Sequence, residues 1–506
     1  MSSVADLIPD AAAGHPDKPA LIFEEHAIAY RRLDERVARA AGALRGLGVR
    51  EGDRVAILLG NVPEFGETLH GTLRLGAVAT PLNVMLTPEE VGYILADAEA
   101  PVVVTDSAHV STVLAVRDRL PALGHVVVTG PGPAPPWTVS FEEAIDSAEA
   151  VPVAEVDADQ LALLAYTAGT TADPKGAMLS HGNLLANLDQ ISKVPALRET
   201  ESDVVLLVLP LFHIYALNAG LGVTLKEGAT VLLMDRFDPV ATLEAVERHG
   251  VTVLLGAPPM FQAWLRAAES RRFDLSSVRL AVSGAAPLPG AVLEAFRERL
   301  GITIWEGYGL TETAPAVTTN ALGEKAKADS IGLPLPGAEV RLVDEVGEEV
   351  EDGDPGEIVI RGPNVFQGYW KRPEETEAAF RDGWLRTGDI AYRDEDGYLF
   401  IVDRSKDLVI VSGFNVYPRE VEEALASHPA VAECAVIGLP DDRTGEAIRA
   451  LVVRAEGSDA TEDDLLEHCR ERLARFKLPR EIRFVDALPK HVTGKVLRRR
   501  LKDVDA

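Results

Sequence analysis

Short apolar segments alternate along the amino-terminal half of this chain with segments long enough for a helix, and this rhythm most constrains the fold. Residues 33–47 place apolar side chains on one helical face, and residues 55–59 follow as an uninterrupted apolar run. Two more apolar runs occur at residues 102–104 and 126–128. Strands that lack polar alternation and are separated by helices are typical of parallel sheets covered on both faces. The pattern therefore predicts an α/β fold.

A second alternating series occupies residues 161–305, and the pattern changes after it. Residues 338–361 indicate short alternating strands with acidic and glycine turns. Residues 404–506 indicate a compact mixture of strands and helices, with a hairpin at 408–416, a helix that Pro418 can start and a helix capped at Thr461 with Asp464 three residues on. We predict a large amino-terminal domain, residues 1–403, of two doubly wound sheets plus a small β-barrel-like unit, followed by a small α+β carboxyl-terminal domain, residues 404–506. Within the large domain the subdomains are expected at about 1–135, 136–330 and 331–403.

Net charge limits the partners of this chain. With 50 Lys and Arg against 79 Asp and Glu, the net charge is −29, which disfavours binding of nucleic acid or an anionic membrane by the whole surface.

Only Cys434 and Cys469 are present, as is typical of a reduced compartment, and the first residues lack an export signal. Residues 204–225 are uncharged, but a proline, a histidine and an asparagine among them argue against a membrane span. We expect a cytoplasmic protein with no transmembrane segment.

The most informative stretch is YTAGTTADPKGAMLSHGN, residues 166–183. It follows a predicted buried strand and precedes a helix predicted to begin near Ser180. Backbone N–H groups of small residues, hydroxyl donors and one lysine together make a phosphate cradle. The spacing of a P-loop is absent, and composition alone leaves a flexible surface loop as the alternative.

Six further motifs accompany this loop, in the order LPLFH (209–213), SGAAPL (283–288), EGYGLTET (306–313), RTGD (386–389), DRSKDLVIVSGFNVYP (403–418) and PKHVTGK (489–495). Together they resemble the adenylate-forming superfamily of acyl-CoA synthetases, carrier-protein adenylation domains and firefly luciferase. The loop departs from the family pattern at Ala168, which replaces a serine, and at Ala172, which replaces a glycine. The change to Ala168 removes one hydroxyl from the phosphate cradle, and Thr170, Thr171 and Lys175 remain.

The resemblance implies a reaction in two steps. ATP, with Mg²⁺, activates a carboxylic acid as an acyl adenylate, and the thiol of CoA then takes the acyl group. The catalytic residues it implies are Lys495, Glu312, Thr311 and His213, and the metal-binding residues are Thr170 and Glu312. The nucleotide-binding residues it implies are Thr167, Gly169, Thr170, Thr171, Lys175, Gly284, Ala285, Gly307, Tyr308, Gly309, Asp389 and Arg404. Because both steps crowd negative charge, positioning and cationic stabilisation are the expected tasks of the protein.

The resemblance also implies that the small domain is mobile. Lys406 matches a hinge position, and Ser412 and Gly413 match a loop that approaches CoA. Rotation of the small domain after adenylation would withdraw Lys495 and present this loop. Arg236 and Lys477 are weaker candidates for contacts with the phosphates of CoA.

Several of these residues have a purely structural alternative. Glu312 could be an acid placed at a helix N-terminus for the helix dipole, and His213 could be a satisfied core histidine. Asp389 and Arg404 could form an ordinary surface ion pair.

The acid substrate is predicted from the residues near Phe212, and the acceptor of the acyl group is predicted from the absence of one motif. Amino-acid-activating relatives usually carry an aspartate just after the matching phenylalanine, whereas here residues 213–216 are His, Ile, Tyr and Ala. Small residues at 216–222 and 256–257 offer room for an apolar tail, and no L-G-G-x-S site for a phosphopantetheine arm is found. We therefore predict an acyl-CoA ligase, which could form a homodimer, for medium- or long-chain fatty acids, with aryl or arylpropenoic acids second. The alternatives are an acyl-AMP ligase that loads a separate carrier protein and, in another class, a nonenzymatic nucleotide or acyl-CoA sensor.

Overall fold

The computed structural model describes residues 3–130, 135–167, 174–404, 409–411, 414–416, 418–441, 445–473, 477–490 and 496–501. Contacts between residues divide the chain into two compact units. The first comprises Met1–Glu339 and Arg361–Gly383, and the second comprises Val340–Ile360 and Trp384–Ala506. Residues 384–403, which the sequence analysis placed in the large domain, thus group with the carboxyl-terminal part. The predicted hinge at Lys406 lies outside the described residues, and the domain boundary at 403/404 stays a prediction.

The helices are, in chain order, α1 (Leu7–Gly14), α2 (Tyr30–Gly46), α3 (Pro63–Arg74), α4 (Pro88–Ala98), α5 (Val110–Leu114), α6 (Phe141–Ser147), α7 (His181–Ser192), α8 (Val223–Lys226), α9 (Pro239–His249), α10 (Pro258–Ser270), α11 (Gly290–Leu300), α12 (Pro373–Ala379), α13 (Pro418–Ala426), α14 (Glu462–Arg470) and α15 (Arg498–Leu501). Tyr215–Gly222 is a π-helix, and the 3₁₀ turns are Val4–Asp6, Arg117–Arg119, Pro195–Leu197, Thr311–Thr313 and Asn320–Leu322.

The strands of the amino-terminal two thirds are β1 (Pro19–Phe23), β2 (His26–Ala29), β3 (Arg54–Leu58), β4 (Val78–Pro81), β5 (Val102–Asp106), β6 (His125–Thr129), β7 (Val139–Ser140), β8 (Leu161–Thr167), β9 (Lys175–Ser180), β10 (Val204–Leu207), β11 (Thr230–Leu233), β12 (Val253–Gly256), β13 (Leu280–Ser283), β14 (Ile304–Gly309), β15 (Ala316–Thr319) and β16 (Leu333–Pro334). The remaining strands are β17 (Glu339–Val343), β18 (Gly356–Arg361), β19 (Phe380–Arg381), β20 (Trp384–Arg393), β21 (Leu399–Arg404), β22 (Val409–Val411), β23 (Phe414–Val416), β24 (Val431–Asp441), β25 (Gly445–Arg454) and β26 (Glu481–Phe484).

The first unit contains a seven-stranded sheet with the order β7-β6-β5-β3-β4-β8-β9. Its strands pair in parallel except for β8 and β9, which form an antiparallel pair. Residues 55–58 of β3 are fully buried, as expected for a strand covered on both faces. The parallel α/β architecture predicted from the apolar runs is confirmed here.

The first unit also contains a nine-stranded sheet with the order β16-β15-β14-β13-β12-β10-β11-β1-β2. The strands from β14 to β1 pair in parallel, and antiparallel pairs extend the sheet at both edges. The two strands that follow β10 in the chain, β11 and β12, lie on opposite sides of it, so the strand order reverses at β10. Ligands bind to open α/β sheets at such a reversal of strand order, outside the carboxyl ends of the strands.

Each sheet contains a strand from the part of the sequence that was expected to form the other sheet. The two sheets therefore do not simply follow one another along the chain, as was predicted. The strand β8, which was expected to open the second sheet, pairs with β4 of the seven-stranded sheet through Ala79 and Leu163. The strand β1 pairs with β11 of the nine-stranded sheet through Leu21 and Val231. The sequence pattern identified β8 but not β1, and it gave the sheet partner of neither, because pairing is set by contacts distant in sequence.

The second unit is built from antiparallel pairs and a small α+β core. In one sheet β17, β18 and β20 are neighbours, and β21 also pairs with β20. In the other sheet the order is β23-β22-β25-β24, and β26 pairs in parallel with β25. The predicted hairpin of residues 408–416 is present as β22 and β23, and α13 begins at Pro418 as expected. At α14 the side chains and backbone N–H groups of Thr461 and Asp464 bond reciprocally, as the sequence predicts.

The uncharged stretch at residues 204–225 forms β10, the π-helix and the start of α8. Within the residues that the structure describes, no helix is both long and apolar enough to cross a membrane.

The buried carboxyl group of Glu199, which lies shortly before β10 of the nine-stranded sheet, should make the free energy of unfolding depend on pH. Glu199 is 3% exposed and accepts a hydrogen bond from Oγ1 of Thr224 at 3.0 Å, and burial raises its pKa to about 8. A group whose pKa is higher in the folded than in the unfolded state stabilises the protein at pH values below its unfolded pKa. This contribution is lost as the pH rises through its folded pKa. The free energy of unfolding should therefore fall between pH 5 and 8, by up to about 1.4 kcal/mol per pH unit from this group.

Chemical denaturation of Glu199→Gln at several pH values should show a flatter dependence, because glutamine still accepts from Thr224 but carries no titrating proton. Glu201 is exposed in the same loop, so Glu201→Gln is the matched control and should keep the wild-type slope. Equal slopes for Glu199→Gln and the wild type would contradict the assignment.

Candidate active site

The phosphate loop connects two strands whose ends lie side by side. The strands β8 and β9 form an antiparallel hairpin in which Thr167 is directly opposite Lys175 and Tyr166 is opposite Gly176. The hairpin therefore places Thr167 and Lys175, both predicted to bind the nucleotide, side by side at the two ends of the loop. Gly169, Thr170 and Thr171 lie outside the described residues, and their phosphate and metal contacts stay predictions.

The helix after the loop begins where the sequence predicts. The hydroxyl of Ser180 accepts from the N–H of Asn183 at 3.1 Å, and the N–H of Ser180 donates to Oδ1 of Asn183 at 3.0 Å. His181, the first helical residue, is fully buried, and its Nδ1 lies 3.1 Å from the hydroxyl of Ser3. Burial lowers the pKa of His181 to about 4, so this histidine is neutral at physiological pH and anchors the amino-terminal segment.

Lys175 and Glu312 both contact one aromatic side chain. The Nζ atom of Lys175 is 5.4 Å from the ring centroid of Tyr369 and 3.9 Å from a carboxylate oxygen of Glu375. The hydroxyl of Tyr369 donates to Oε1 of Glu312 at 2.7 Å. The structure thus brings the predicted phosphate-binding cation and the predicted metal-binding carboxylate into one cluster.

Tyr369 was missed by the sequence analysis. It lies in the segment QGYW, residues 367–370, in which Gly368 has φ of +128°. A side chain at Gly368 would place its Cβ 2.5 Å from Cγ2 of Thr376. A glycine that a turn requires, followed by two aromatic residues, was the signal available in the sequence.

Glu312 and Thr311 lie in a 3₁₀ turn that follows the end of β14. The backbone carbonyl of Glu312 accepts from the N–H of Phe366 at 2.9 Å, which ties the turn to the segment that carries Tyr369. Just before the turn, the predicted nucleotide-binding residues of β14 pair with β15 in the registers Gly307–Thr319, Tyr308–Thr318 and Gly309–Ala316.

Gly284 and Ala285 follow the neighbouring strand β13. Ser283 of β13 is paired with Glu306 of β14, so the two strands end beside one another. Ala285 has φ of +70°, and a Cβ on Gly284 would lie 3.1 Å from Cε1 of Tyr215. The hydroxyl of Tyr215 donates to the carbonyl of Val282 at 3.1 Å. The predicted nucleotide-binding residues of both strands therefore lie at the carboxyl edge of one sheet, with the ring of Tyr215 against Gly284.

His213 follows β10 at the same edge. Its ring centroid is 4.8 Å from that of Phe212, and its backbone N–H donates to the carbonyl of Pro210 at 3.0 Å. The π-helix begins two residues later, at Tyr215. A π-helical segment is frequently found at functional sites.

In the second unit, the predicted ribose-binding residues are neighbours in a sheet. Asp389 of β20 and Arg404 of β21 are paired directly, and Asp389 is 3% exposed. Glu357 accepts from the side chain of Arg386 at 3.0 Å and from the N–H of Gly388 at 3.0 Å, so it fixes the RTGD segment of β20. Glu357 was not identified from the sequence, because its partners are distant along the chain.

The remaining predicted residues fall in three groups. Lys406, Ser412, Gly413 and Lys495 lie outside the described residues. Arg236 in the first unit has a side chain that is 92% exposed and lies 3.5 Å from Asp235. Lys477 in the second unit donates to both carboxylate oxygens of Glu420, at 2.5 and 2.7 Å. The CoA contacts of Arg236 and Lys477 stay predictions.

Comparisons with known proteins agree with this arrangement. The model of the family described as AMP-binding enzyme matches residues 8–370, and that of the AMP-binding enzyme C-terminal domain matches residues 420–495. The chain is 38% identical to a long-chain-fatty-acid–CoA ligase of Yersinia pestis, over 99% of this chain and 94% of that protein. It is 43% identical to a feruloyl-CoA synthase of Amycolatopsis sp, over 93% of each protein.

A solved structure of ATP-bound MatB from Rhodopseudomonas palustris matches with a TM-score of 0.92 at 35% identity, over 100% of this chain and 99% of that one. Similarity of this extent in both sequence and structure confirms the fold class, with its large amino-terminal part and small carboxyl-terminal part. This chain belongs to the AMP-binding enzymes of the adenylate-forming superfamily, and it is an acyl-CoA ligase of the AMP-forming acid–thiol ligase class.

Proposed function

We propose that this enzyme activates its acid with ATP and Mg²⁺ and transfers the acyl group to CoA. A carboxylate oxygen attacks the α-phosphorus, the bond to pyrophosphate breaks, and an acyl adenylate forms. The thiol of CoA then attacks the acyl carbon, AMP leaves and the thiol proton is released. The cluster of Lys175, Tyr369 and Glu312 supports this proposal, because it places a cation for phosphate and a carboxylate for a metal at one point. ATP and CoA as co-substrates also favour a cytoplasmic reaction.

The residues present fit a magnesium ion that arrives with ATP. Mg²⁺ is usually bound by one or two carboxylates together with substrate phosphates and water. In the described part of the chain, no group of three or more His, Cys, Asp or Glu side chains could hold a metal by itself. Glu312, with Thr170 of the phosphate loop, would supply the protein ligands, and the ion when bound would neutralise charge on the phosphates.

The first candidate substrate is a medium- or long-chain fatty acid. The observation that carries it is the match to the Yersinia pestis ligase over 99% of this chain. The residues after His213 support it, since 214–223 include no charged side chain that could pair with a second charge on the acid. Burial of an alkyl chain contributes about 0.8 kcal/mol per methylene, which is roughly a fourfold gain in specificity for each.

A specific observation favours an arylpropenoic acid as the second candidate. A Cβ on Gly220 would lie 2.9 Å from Cδ1 of Leu207, and one on Gly256 would lie 2.9 Å from Cε2 of Phe261. These glycines allow neighbouring side chains to pack closely and do not themselves provide the room for an alkyl tail that the sequence suggested. A compact planar acid needs less room, and the feruloyl-CoA synthase of Amycolatopsis sp is 43% identical to this chain.

The deciding experiment is kcat/KM for CoA-thioester formation along the straight-chain acids from butyric to octadecanoic, beside ferulic, cinnamic and benzoic acids. A fatty-acid ligase should show a steady rise of roughly fourfold per methylene until the pocket is full. A flat profile with ferulic or cinnamic acid preferred would establish the second candidate. Pyrophosphate release without CoA thioester, with acyl adenylate accumulating, would instead indicate a ligase that loads a carrier protein.

A further inference from the structure

We propose that Tyr369 is a positioning residue of the adenylation step, which fixes the carboxylate of Glu312 near the ammonium group of Lys175. The inference rests on the proposed function, in which Glu312 binds Mg²⁺ and Lys175 binds phosphate. It assigns a role to a side chain outside the short motifs on which the resemblance was recognised.

The hydroxyl of Tyr369 holds one specific oxygen of Glu312. It donates to Oε1 at 2.7 Å, and within the described residues no hydrogen bond to Oε2 is present, so this oxygen can bind a ligand. Phe366, three residues before Tyr369, donates its N–H to the backbone carbonyl of Glu312 at 2.9 Å. One segment therefore holds Glu312 by both its backbone and its side chain. Groups that orient a metal ligand in this way usually affect metal affinity strongly.

The ring of Tyr369 also contacts the predicted phosphate-binding cation. Nζ of Lys175 lies 5.4 Å from the ring centroid, within the range of a cation–π contact. Its nearest described carboxylate is Glu375 at 3.9 Å, and no ion pair joins Lys175 to Glu312 in the described part of the chain. The ring therefore stabilises the charge of Lys175 without neutralising it, as a carboxylate in direct contact would.

The backbone around Tyr369 presets the direction of its side chain. The N–H of Trp370 donates to the carbonyl of Gly176 at 2.8 Å, and Tyr369 forms a bridge with Ala177 of β9. The N–H of Tyr369 donates to Oγ1 of Thr376 at 2.9 Å. The segment is thus joined to the strand that begins at Lys175, which fixes the tyrosine close to the lysine.

The test compares Tyr369→Phe, which removes only the hydroxyl, with Tyr369→Leu, which also removes the aromatic ring. Binding of Mn²⁺ to the complex with a nonhydrolysable ATP analogue is followed by electron paramagnetic resonance. Tyr369→Phe should weaken Mn²⁺ binding by roughly tenfold to a hundredfold. It should raise the Mg²⁺ concentration needed for half-maximal ATP–pyrophosphate exchange by a similar factor, and excess Mg²⁺ should restore the rate. Tyr369→Leu should in addition weaken binding of metal-free ATP, because Lys175 then loses the ring contact that holds its ammonium group.

Two further variants make the outcome decisive. Tyr30→Phe removes a buried hydroxyl that donates to the carbonyl of Ala229 at 2.6 Å, so it controls for loss of a tyrosine hydrogen bond elsewhere and should leave Mn²⁺ binding unchanged. Glu312→Gln tests the metal role on which the inference rests. If Glu312→Gln weakens Mn²⁺ binding and Tyr369→Phe does not, the positioning role of Tyr369 is wrong. If Glu312→Gln has no effect on Mn²⁺ binding, the metal site of the proposed function is itself wrong.

Discussion

Replacement of Lys495 by alanine is expected to lower acyl-adenylate formation by roughly two to three orders of magnitude, the usual cost of losing one preorganised contact to developing charge. The reason is chemical. Attack of a carboxylate on the α-phosphate brings two anions together, and Lys495 is the cation that the family resemblance assigns to that point. Thioester formation from synthetic acyl adenylate should survive, because that step no longer needs the cation at the α-phosphate. ATP–pyrophosphate exchange and single-turnover thioester formation measure the two steps separately.

Lys490 provides the matched control for this experiment. It lies in the same motif, and its Nζ atom donates to a carboxylate oxygen of Glu433 at 2.7 Å, so its charge already has a partner. Lys490→Ala should leave both half-reactions close to the wild-type rates. Equal losses in both steps for Lys495→Ala would refute the division of labour between adenylation and thioester formation.

Local signals in the sequence predicted the elements of the fold well. The helix start at Thr461 with Asp464 was recognisable because this cap is made by residues three positions apart, and the helix start near Ser180 was also predicted. Pro418 likewise begins α13 because its fixed φ suits the first turn of a helix. The sheet partners of β1 and β8 were not predictable, since nothing in residues 19–23 or 161–167 encodes which distant strand lies beside them.

The site residues that stand in local motifs were likewise predictable, whereas those that matter through distant contacts were not. Lys175 and Glu312 stand in motifs whose residue types match their proposed chemistry, and the structure brings both to one cluster. Tyr369 was missed because its importance comes from a contact with Glu312, 57 positions away in the sequence. Gly220 and Gly256 show a related limit of reasoning from the sequence. A small residue can line an empty space or admit a close neighbour, and only the three-dimensional structure shows that Leu207 and Phe261 occupy that space.

Replacement of Gly309 by alanine is expected to damage both the fold and the chemistry. A Cβ at this position would lie 1.9 Å from the carbonyl oxygen of Pro315 and 2.7 Å from its carbonyl carbon, and backbone atoms cannot turn aside as a side chain can. We expect a loss of about 3–5 kcal/mol in the free energy of unfolding, as for severe overpacking. Because Glu312 follows within three residues, ATP–pyrophosphate exchange should fall by roughly a hundredfold, the cost of a misplacement of about 1 Å.

Gly66 supplies the comparison, because it lies within α3 and a Cβ there would have no neighbour within 4 Å. Gly66→Ala should change stability by no more than about 1 kcal/mol, in the stabilising direction, since alanine has the higher helix propensity. Urea denaturation and pyrophosphate exchange on both variants complete the test. Wild-type stability of Gly309→Ala would show that β14 and the chain at Pro315 can separate freely. Lost stability with normal exchange would show that the geometry of Glu312 does not depend on this close approach, and that the turn carrying it is held instead by Phe366 and Tyr369.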